Sequence, residues 1–202
     1  AEGLAACAAL ADGLGQLSRE RVGAEIKKLL SAPNPAAAVA AMAQTGILAR
    51  TLPGAMARML PILISFADAP PDPIRRLAAL GPVEVAAGLR LSKADIARLT
   101  ILRDGMSSTT SPDALAYLHG ADIAWDIAVL RASQFETQVD PTVRALIARG
   151  ASAVFPIKPA DLMPRLSGTA LGQALRTLEA RWIASSFTLS RAELLSRLPQ
   201  SE

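Results

Sequence analysis

The sequence has few of the side chains that build disulfides, metal sites and aromatic cores. Its 202 residues include one cysteine, one histidine and only 3% aromatic residues. A single cysteine cannot form an internal disulfide, so a disulfide-stabilised scaffold is excluded and a reducing, cytoplasmic compartment is expected. A single histidine excludes metal sites with two imidazole ligands. No apolar run approaches the roughly 18 residues of a membrane-spanning helix, so no membrane partner is expected.

Motifs that bind nucleotides or catalytic metal ions are also missing. The sequence has neither a Walker loop nor the glycine pattern of dinucleotide-binding folds, and no Asp-x-Asp pair that could hold two metal ions. Asp122 and Asp126 are four residues apart and could bind a divalent cation, but such pairs usually form a solvated helix face. His119, beside Gly120, is expected at the surface at a helix end. We therefore predict no catalytic residue, metal site or cofactor in this chain.

The residues that are abundant favour helices. Hydrophobic residues make up 51% of the chain and charged residues 19%, which is typical of a packed globular protein. Alanine and leucine dominate, and apolar positions recur at helical spacing but hardly anywhere at strand spacing. The sequence predicts an all-α protein, an irregular multi-helix array without a sheet.

Capping residues, glycines and prolines predict where the helices begin and end. Residues 105–110 are expected to form a polar loop, and residues 155–159, with two prolines, an extended linker. Pro61 is expected to interrupt a helical stretch, and Cys7 to be a small buried side chain on the first helix. Helix starts are predicted after Ser18, Asp72, Ser92, Ser111, Asp140 and Ser190.

Charge is distributed unevenly along the chain. Residues 1–60 contain six Lys/Arg and four Asp/Glu, and residues 141–202 contain eight and four. The stretch between them, residues 61–140, contains seven Lys/Arg and ten Asp/Glu. Basic ends and an acidic middle indicate that the ends contact an anionic partner.

The segment 17–30, with the sequence LSRERVGAEIKKLL, carries the most specific pattern in the chain. Arg21 and Glu25 are spaced as i,i+4 partners, Glu25 and Lys28 as i,i+3 partners, and all lie off the apolar face. An amphipathic helix explains this spacing. The string also resembles the Ser-x-Glu-Arg-Ile/Val-x-x-Glu-x-x-Lys pattern in the neck domain of bacterial CCA-adding tRNA nucleotidyltransferases and their poly(A) polymerase relatives.

Other segments resemble the same family in the same order, so that the resemblance covers essentially the whole chain. It implies three parts, namely a neck-like domain at 1–60, body helices at 61–155 and tail helices at 156–202. The matching stretches are Pro33 to Ala43, Gly46-Ile47-Leu48, Leu52-Pro53, Leu91 to Arg103, Asp161-Leu162-Met163, Gly168, Leu171-Gly172, Leu175, Trp182-Ile183 and Leu189 to Leu195.

The catalytic head that precedes the neck in that family has no counterpart in this sequence. The resemblance implies that Mg²⁺ and CTP or ATP bind to such a head in the same parent chain, and that this chain alone is inactive. The chain opens without an initiator methionine, and Ala1 is interpreted as an internal cut. The resemblance further implies that the neck residues support the nucleotide site without catalysing the reaction. These residues are Ser18, Glu20, Arg21, Glu25 and Lys28.

The tail provides the candidate RNA-binding residues. Four cations lie around a Gly-Thr-Ala-Leu-Gly segment at a predicted helix start, where free N–H groups and the helix dipole favour a phosphate. They are Lys158, Arg165, Arg176 and Arg181. Trp182 and Phe187 could stack on a base, but scarce aromatic residues more often fill a core. The resemblance implies that body and tail bind the tRNA backbone.

The sequence leaves two alternatives to a CCA-adding enzyme. The first is the same region of a bacterial poly(A) polymerase, because the residues that distinguish the two activities lie in or near the missing head. The second is a free-standing helical interaction module without an RNA partner.

Overall fold

A computed structural model describes residues 2–66, 70–82, 85–163 and 165–196. Every regular element in these ranges is a helix, so the all-α prediction is confirmed for them. The elements are α1 (Glu2–Leu10), a 3-10 helix (Ala11–Gln16), α2 (Arg19–Ser31), α3 (Ala36–Gln44), α4 (Ile47–Thr51), α5 (Met59–Ser65), α6 (Pro73–Leu80), α7 (Val85–Leu89), α8 (Lys93–Ser107), α9 (Pro112–His119), α10 (Ala121–Phe135), α11 (Val143–Ser152), α12 (Pro159–Leu162), α13 (Gly168–Ala184) and α14 (Arg191–Ser196).

The chain forms two compact units. Unit 1 comprises residues 1–109 and 126–140, and unit 2 comprises residues 110–125 and 141–202. The predicted division into neck, body and tail concerns functional parts, and it stays a prediction. No helix in the described ranges has the length and apolar character that crossing a membrane requires.

Several helix starts are set by the side chains that the sequence indicates. Asp72 accepts hydrogen bonds from the N–H groups of Ile74 and Arg75, both at 2.8 Å, and Ser92 accepts one from Asp95 at 3.1 Å. Ser190 and Glu193 form a reciprocal capping box, in which each side chain accepts a hydrogen bond from the other residue's N–H. These local predictions are confirmed.

Helix α2 is fixed on one side and exposed on the other. The Ser18 hydroxyl accepts a hydrogen bond from the N–H of Arg21 at 3.2 Å, which caps the helix start as predicted. Gly23, Ile26 and Leu30 are buried on the side that packs against α6 and α7. The opposite side of α2 therefore presents its charged residues to solvent.

Arg76, on α6, closes the C-terminal end of α2. It is buried and donates hydrogen bonds to the carbonyl oxygens of Leu30 at 2.7 Å, Ala32 at 2.5 Å and Pro33 at 3.0 Å. Carbonyls at a helix end lack partners within the helix, and the helix dipole there favours a cation. Burial, with a further contribution from Arg75, lowers the pKa of the Arg76 guanidinium. Arg76 therefore ties α6 to the end of α2.

A buried ionic cluster joins α6, α8 and α10 within unit 1. Asp126 is buried and accepts hydrogen bonds from Arg75 and Arg98. Arg98 also pairs with Asp72 at 2.8 Å. Burial raises the pKa of the Asp126 carboxyl, and the two guanidinium groups oppose that shift. The prediction that Asp126 lies on a solvated face is wrong. The residue is buried because it pairs with arginines on helices that are distant in the sequence.

Unit 2 has an aromatic core. Four rings, those of Tyr117, Phe155, Trp182 and Phe187, lie with neighbouring centroids 4.8–5.6 Å apart. Trp182 is buried and Phe187 packs against it, so the prediction that these rings fill a core is confirmed. Ile157, in the predicted linker, is also buried in this core.

Two predicted breaks in helices are wrong. Pro61 lies in the first turn of α5. Backbone N–H groups of the first turn have no acceptor within the helix, so a proline there removes no helical hydrogen bond. Helix α8 continues through Gly105 to Ser107, and residues 105–107 are not part of a loop. The absence of a side chain at Gly105 admits Ile127, whose Cδ1 would be 2.3 Å from a β-carbon there.

Two further expectations differ from the structure. Helix α11 begins at Val143, and not directly after Asp140, because residues 141 and 142 form a turn. Cys7 is exposed, since the residues of α1 from Gly3 to Leu10 all face solvent. His119 is exposed at the last residue of α9, as predicted.

Candidate nucleic-acid interface

The five predicted neck residues all lie exposed at the start or on the solvent side of α2. Glu20 pairs with Arg90 at 3.3 Å, and both side chains are largely exposed. In the described parts of the chain, no ion pair joins Arg21 to Glu25 or Glu25 to Lys28, although the sequence spacing indicated such partners. Their role as support for a nucleotide site stays a prediction.

Arg21 and Lys28 are exposed cations on the same side of α2. They are seven residues apart, which is nearly two full turns, so both side chains leave the helix in similar directions. Lys27 lies on a different side and pairs with Asp95 at 2.7 Å. The Lys27 hydrogen bond holds the pKa of the Asp95 carboxyl below its usual value. The solvent side of α2 thus keeps two cations whose charge no described acidic residue neutralises by direct contact.

Other cations in the N-terminal part are already paired. Arg50 contacts Asp12 at 2.8 Å, and Arg58 contacts Glu136 at 3.3 Å. Both pairs are solvent-exposed, so each contributes little to stability. Their charge is partly compensated, which leaves Arg21 and Lys28 as the stronger candidates for an external anion.

The four predicted RNA-binding residues of the tail are all exposed in unit 2. Lys158 immediately precedes α12, Arg165 follows it, and Arg176 and Arg181 lie on α13. Among the described residues, Arg165 and Arg176 form no ion pair. Their assignment to RNA binding stays a prediction, and their exposure leaves them accessible to a phosphate backbone.

The start of α12 is organised by Asp161. One carboxylate oxygen accepts a hydrogen bond from the Lys158 N–H at 2.8 Å, and the other accepts one from Arg191 at 2.8 Å. The contact with Arg191, together with the Lys158 N–H, holds the pKa of the Asp161 carboxyl below its usual range. Arg191 is thereby paired within unit 2. The side-chain ammonium of Lys158, by contrast, donates no hydrogen bond to a described residue.

Arg176 lies over the first turns of α13. Its Nη1 atom is 3.6 Å from the place where a β-carbon on Gly172 would stand, which is an ordinary van der Waals distance. Ser167, at the N-cap position of α13, makes no capping hydrogen bond with its side chain. The guanidinium of Arg176 therefore lies beside Gly172, about one turn closer to the start of α13 than its own backbone.

A groove of about 640 Å³ runs between α9 and α13 in unit 2. Its walls are largely apolar, and Arg176, Glu179 and three hydroxyl-bearing residues line it as well. The Tyr117 hydroxyl donates a hydrogen bond to Glu179 at 2.5 Å and joins the two helices. Burial and the contact with Glu179 raise the pKa of Tyr117 to about 12.

Asp122 and Asp126 do not form the divalent-cation site that their spacing allowed. Asp122 is exposed, and Asp126 forms ion pairs with Arg75 and Arg98. In the described ranges, no group of three or more His, Cys, Asp or Glu side chains could hold a metal ion. The arrangement can bind anions through its exposed cations.

Sequence reasoning missed the residues that fix these surfaces in place. Lys27 and Asp95 are 68 residues apart, and Tyr117 and Glu179 are 62 apart. No local spacing indicates such pairs. The one available signal was the burial expected for the apolar side of α2, which places the charged residues of that helix on the opposite side.

Residues 2–59 match the family model described as the probable RNA and SrmB-binding site of polymerase A. The matched segment covers α1 to α4 and includes the whole of α2. The match supports the relationship to the poly(A) and CCA polymerase family at this coarse level. No curated protein matches the chain.

Proposed function

We propose that the chain is the RNA-binding and nucleotide-site-supporting region of a tRNA nucleotidyltransferase that adds CCA to tRNA 3′ ends. The observation that carries this proposal is the match of residues 2–59 to an RNA-binding model of polymerase A. The exposed cations on α2 and in unit 2 supply the chemistry that an RNA backbone requires, since phosphate contacts dominate nucleic-acid affinity.

In this proposal the two units have different tasks. Unit 2 binds the tRNA backbone through Lys158, Arg165, Arg176 and Arg181, whose charges face solvent. The exposed side of α2 supports a catalytic head in the parent chain, which would supply Mg²⁺ and the incoming CTP or ATP. The residues described here position and bind RNA and take no part in bond formation.

The family match also favours a second location for RNA contacts. It covers α2 and ends before unit 2 begins, and on that helix Arg21 and Lys28 form no ion pair with a described residue. If α2 contacts RNA directly, these two residues are binding residues, and their supporting role is secondary. The two locations make different predictions for charge-removing variants.

Binding of three labelled probes to the purified chain tests the proposal. The probes are a tRNA ending before its CCA sequence, an oligo(A) RNA of equal length and a duplex DNA of equal charge, each followed by fluorescence anisotropy. We expect tighter binding of the tRNA than of the oligo(A). A preference for oligo(A) would favour the poly(A) polymerase alternative, and no binding of either RNA would favour an interaction module without an RNA partner.

Paired variants then locate the contacts. Arg165→Gln/Arg176→Gln removes two charges from unit 2, and Arg21→Gln/Lys28→Gln removes two from α2, so each variant is the control for the other. All four side chains are exposed, and neither change should alter the fold. A loss of tRNA affinity confined to the first variant supports the proposed division of tasks. A loss confined to the second assigns the RNA contacts to α2.

A further inference from the structure

The groove between α9 and α13 combines an apolar interior with polar groups that lack partners among the described residues of unit 2. Ala114, Leu118, Ala180 and Ile183 form its apolar walls, and Leu118 is 53% exposed. A leucine so exposed beside a concave apolar surface is available to a ligand. The cavity volume, about 640 Å³, lies within the usual range for small-ligand sites.

Two polar side chains on the groove lack partners within the described part of the chain. Arg176 forms no ion pair there, and the Ser186 hydroxyl makes no hydrogen bond there. The other charged residue of the groove, Glu179, is already engaged, because it accepts the hydrogen bond of the Tyr117 hydroxyl. Arg176 and the Ser186 hydroxyl are therefore the side chains of the groove that suit a ligand with an anionic group and a hydrogen-bonding edge, beside Glu179, whose Oε1 accepts from Tyr117.

The rim of the groove is held in a strained conformation. Ser186 and Phe187 are consecutive non-glycine residues with φ of 54° and 65°, in the left-handed region that such residues seldom adopt. Phe187 is fixed there by the aromatic core, with its ring centroid 4.8 Å from that of Trp182. Backbone strain of this kind persists where surrounding packing imposes it, and it is concentrated at binding sites. Here it holds Ser186 at the groove.

We infer that the groove between α9 and α13 receives one unpaired nucleotide of a bound RNA. The flat apolar faces of the base lie between Leu118 and Ala180, the Ser186 hydroxyl meets the polar edge of the base, and Arg176 binds the adjoining phosphate. Unpaired bases are the parts of an RNA that a protein can enclose, because the base edges of A-form duplexes lie in a deep, narrow groove. This inference rests on the proposed RNA-binding function.

The groove favours a nucleotide over a purely apolar partner because of its charge. An apolar helix would bury Arg176 without supplying an anion, and a buried uncompensated charge is costly. A nucleotide brings its own phosphate to that position. The chain between residues 141 and 202 also contains twice as many basic as acidic residues, eight against four, which favours an RNA near this surface.

The test compares three RNA hairpins that differ at one position. The first is fully paired, the second carries a single bulged nucleotide, and the third carries an abasic bulge that keeps the phosphate and lacks the base. Their affinities for the whole 202-residue chain are measured by fluorescence anisotropy. We expect the bulged hairpin to bind about tenfold more tightly than the abasic one, within the range of one enclosed base.

Two matched leucine variants connect the preference to the groove. Ala180→Leu fills the groove, and Ala170→Leu makes the same change on an exposed part of α13 that does not line it. Both positions are helical and exposed, so leucine should be accommodated, and circular dichroism checks the fold. Ala180→Leu should abolish the preference for the bulged hairpin, and Ala170→Leu should preserve it. Arg176→Gln should weaken the bulged and abasic hairpins equally.

The outcomes separate this inference from the function on which it rests. If the chain binds none of the hairpins, the proposed function fails and the inference fails with it. If all three hairpins bind equally well and Ala180→Leu changes nothing, the groove does not receive a nucleotide, while RNA binding stands. If sedimentation shows a dimer that Ala180→Leu dissociates, a second copy occupies the groove and the inference is overturned.

Discussion

Gly23 on α2 lies against the backbone of Leu89 on α7, and a β-carbon at Gly23 would stand 2.1 Å from the Leu89 carbonyl oxygen. The contact involves main-chain atoms, which cannot turn aside as the end of a flexible side chain can. The close approach brings α2 onto α7 and thereby directs Arg21 and Lys28 to solvent. Glycine at position 23 is required by packing, since its φ is not in the left-handed region.

Gly23→Ala is therefore expected to destabilise unit 1. Overpacking costs typically about 1–3 kcal/mol, and the backbone contact places this variant at the upper end or above. Gly88→Ala on α7 is the control, because nothing lies within 4 Å of a β-carbon there. The control should be neutral or stabilising by up to about 1 kcal/mol, as for alanine replacing glycine in a helix. Urea unfolding measures both, and equal stabilities would contradict the close packing of α2 on α7.

Arg76→Met is expected to destabilise the chain by about 2–5 kcal/mol. The variant keeps an unbranched apolar stem but leaves the carbonyls of Leu30, Ala32 and Pro33 without their donor. Arg58→Met provides the comparison, because the Arg58–Glu136 pair is exposed and should be worth less than about 1 kcal/mol. Thermal unfolding followed by circular dichroism distinguishes the two. A loss at Arg76 no larger than that at Arg58 would refute its role at the end of α2.

Tyr117 should ionise at unusually high pH. The chain has one tyrosine, so tyrosinate absorbance reports this residue alone. With a pKa of about 12 in the fold and 10.0 ordinarily, the neutral phenol stabilises the fold below pH 10. That contribution is lost as the pH rises through the folded pKa. Near pH 11 about a tenth of the residue should be ionised in the native chain, against about nine tenths in denaturant.

Glu179→Gln separates the two causes of the Tyr117 shift. Removal of the carboxylate should lower the pKa of Tyr117, while the part that burial contributes should remain. The same absorbance titration measures the change. An unchanged midpoint in Glu179→Gln would show that the 2.5 Å hydrogen bond does not form in solution.

The Lys27–Asp95 pair should stabilise the fold at neutral pH and lose its effect in acid. The hydrogen bond from Lys27 is the main reason why the pKa of Asp95 is lowered from 3.8. The fold therefore favours the charged form of the Asp95 carboxyl. The contribution is present above the unfolded pKa and disappears as the pH falls through the lower, folded pKa. Because Lys27 is 40% exposed, solvent screening limits the effect to less than about 1 kcal/mol. Asp95→Asn should differ from the wild type near pH 7 and converge with it in acid.

The helix ends illustrate which parts of the fold the sequence can predict. A Ser18 or Asp72 cap acts within three residues, so its signal is contained in the local sequence. Arg76 caps α2 from 46 residues away, and only the folded chain brings the two together. The prediction for Pro61 fails for a related reason. A proline interrupts the interior of a helix but fits its first turn, and the start of α5 has no local marker.

The candidate site divides in the same way. Exposure of Arg21, Lys28 and Arg176 follows from helical periodicity, because each lies away from the apolar side of its helix. The groove between α9 and α13 could not be predicted, because it depends on how these two helices pack against each other. The residues that join them, Tyr117 and Glu179, are 62 positions apart in the sequence. Asp126 shows the opposite error. Its spacing from Asp122 suggested a solvated pair, and long-range contacts buried it instead.

The salt dependence of tRNA binding tests the central claim, that exposed cations of unit 2 hold an RNA backbone. A labelled tRNA is titrated with the wild-type chain and with Arg165→Glu/Arg176→Glu at about 50 and about 200 mM salt. Each neutralised phosphate contributes about −0.9 to the slope of log affinity against log salt, so three contacts give roughly −2.7. The double variant should bind more weakly and show a slope shallower by about 1.8. Equal affinity and equal slope of the two chains, with both folded by circular dichroism, would contradict the claim.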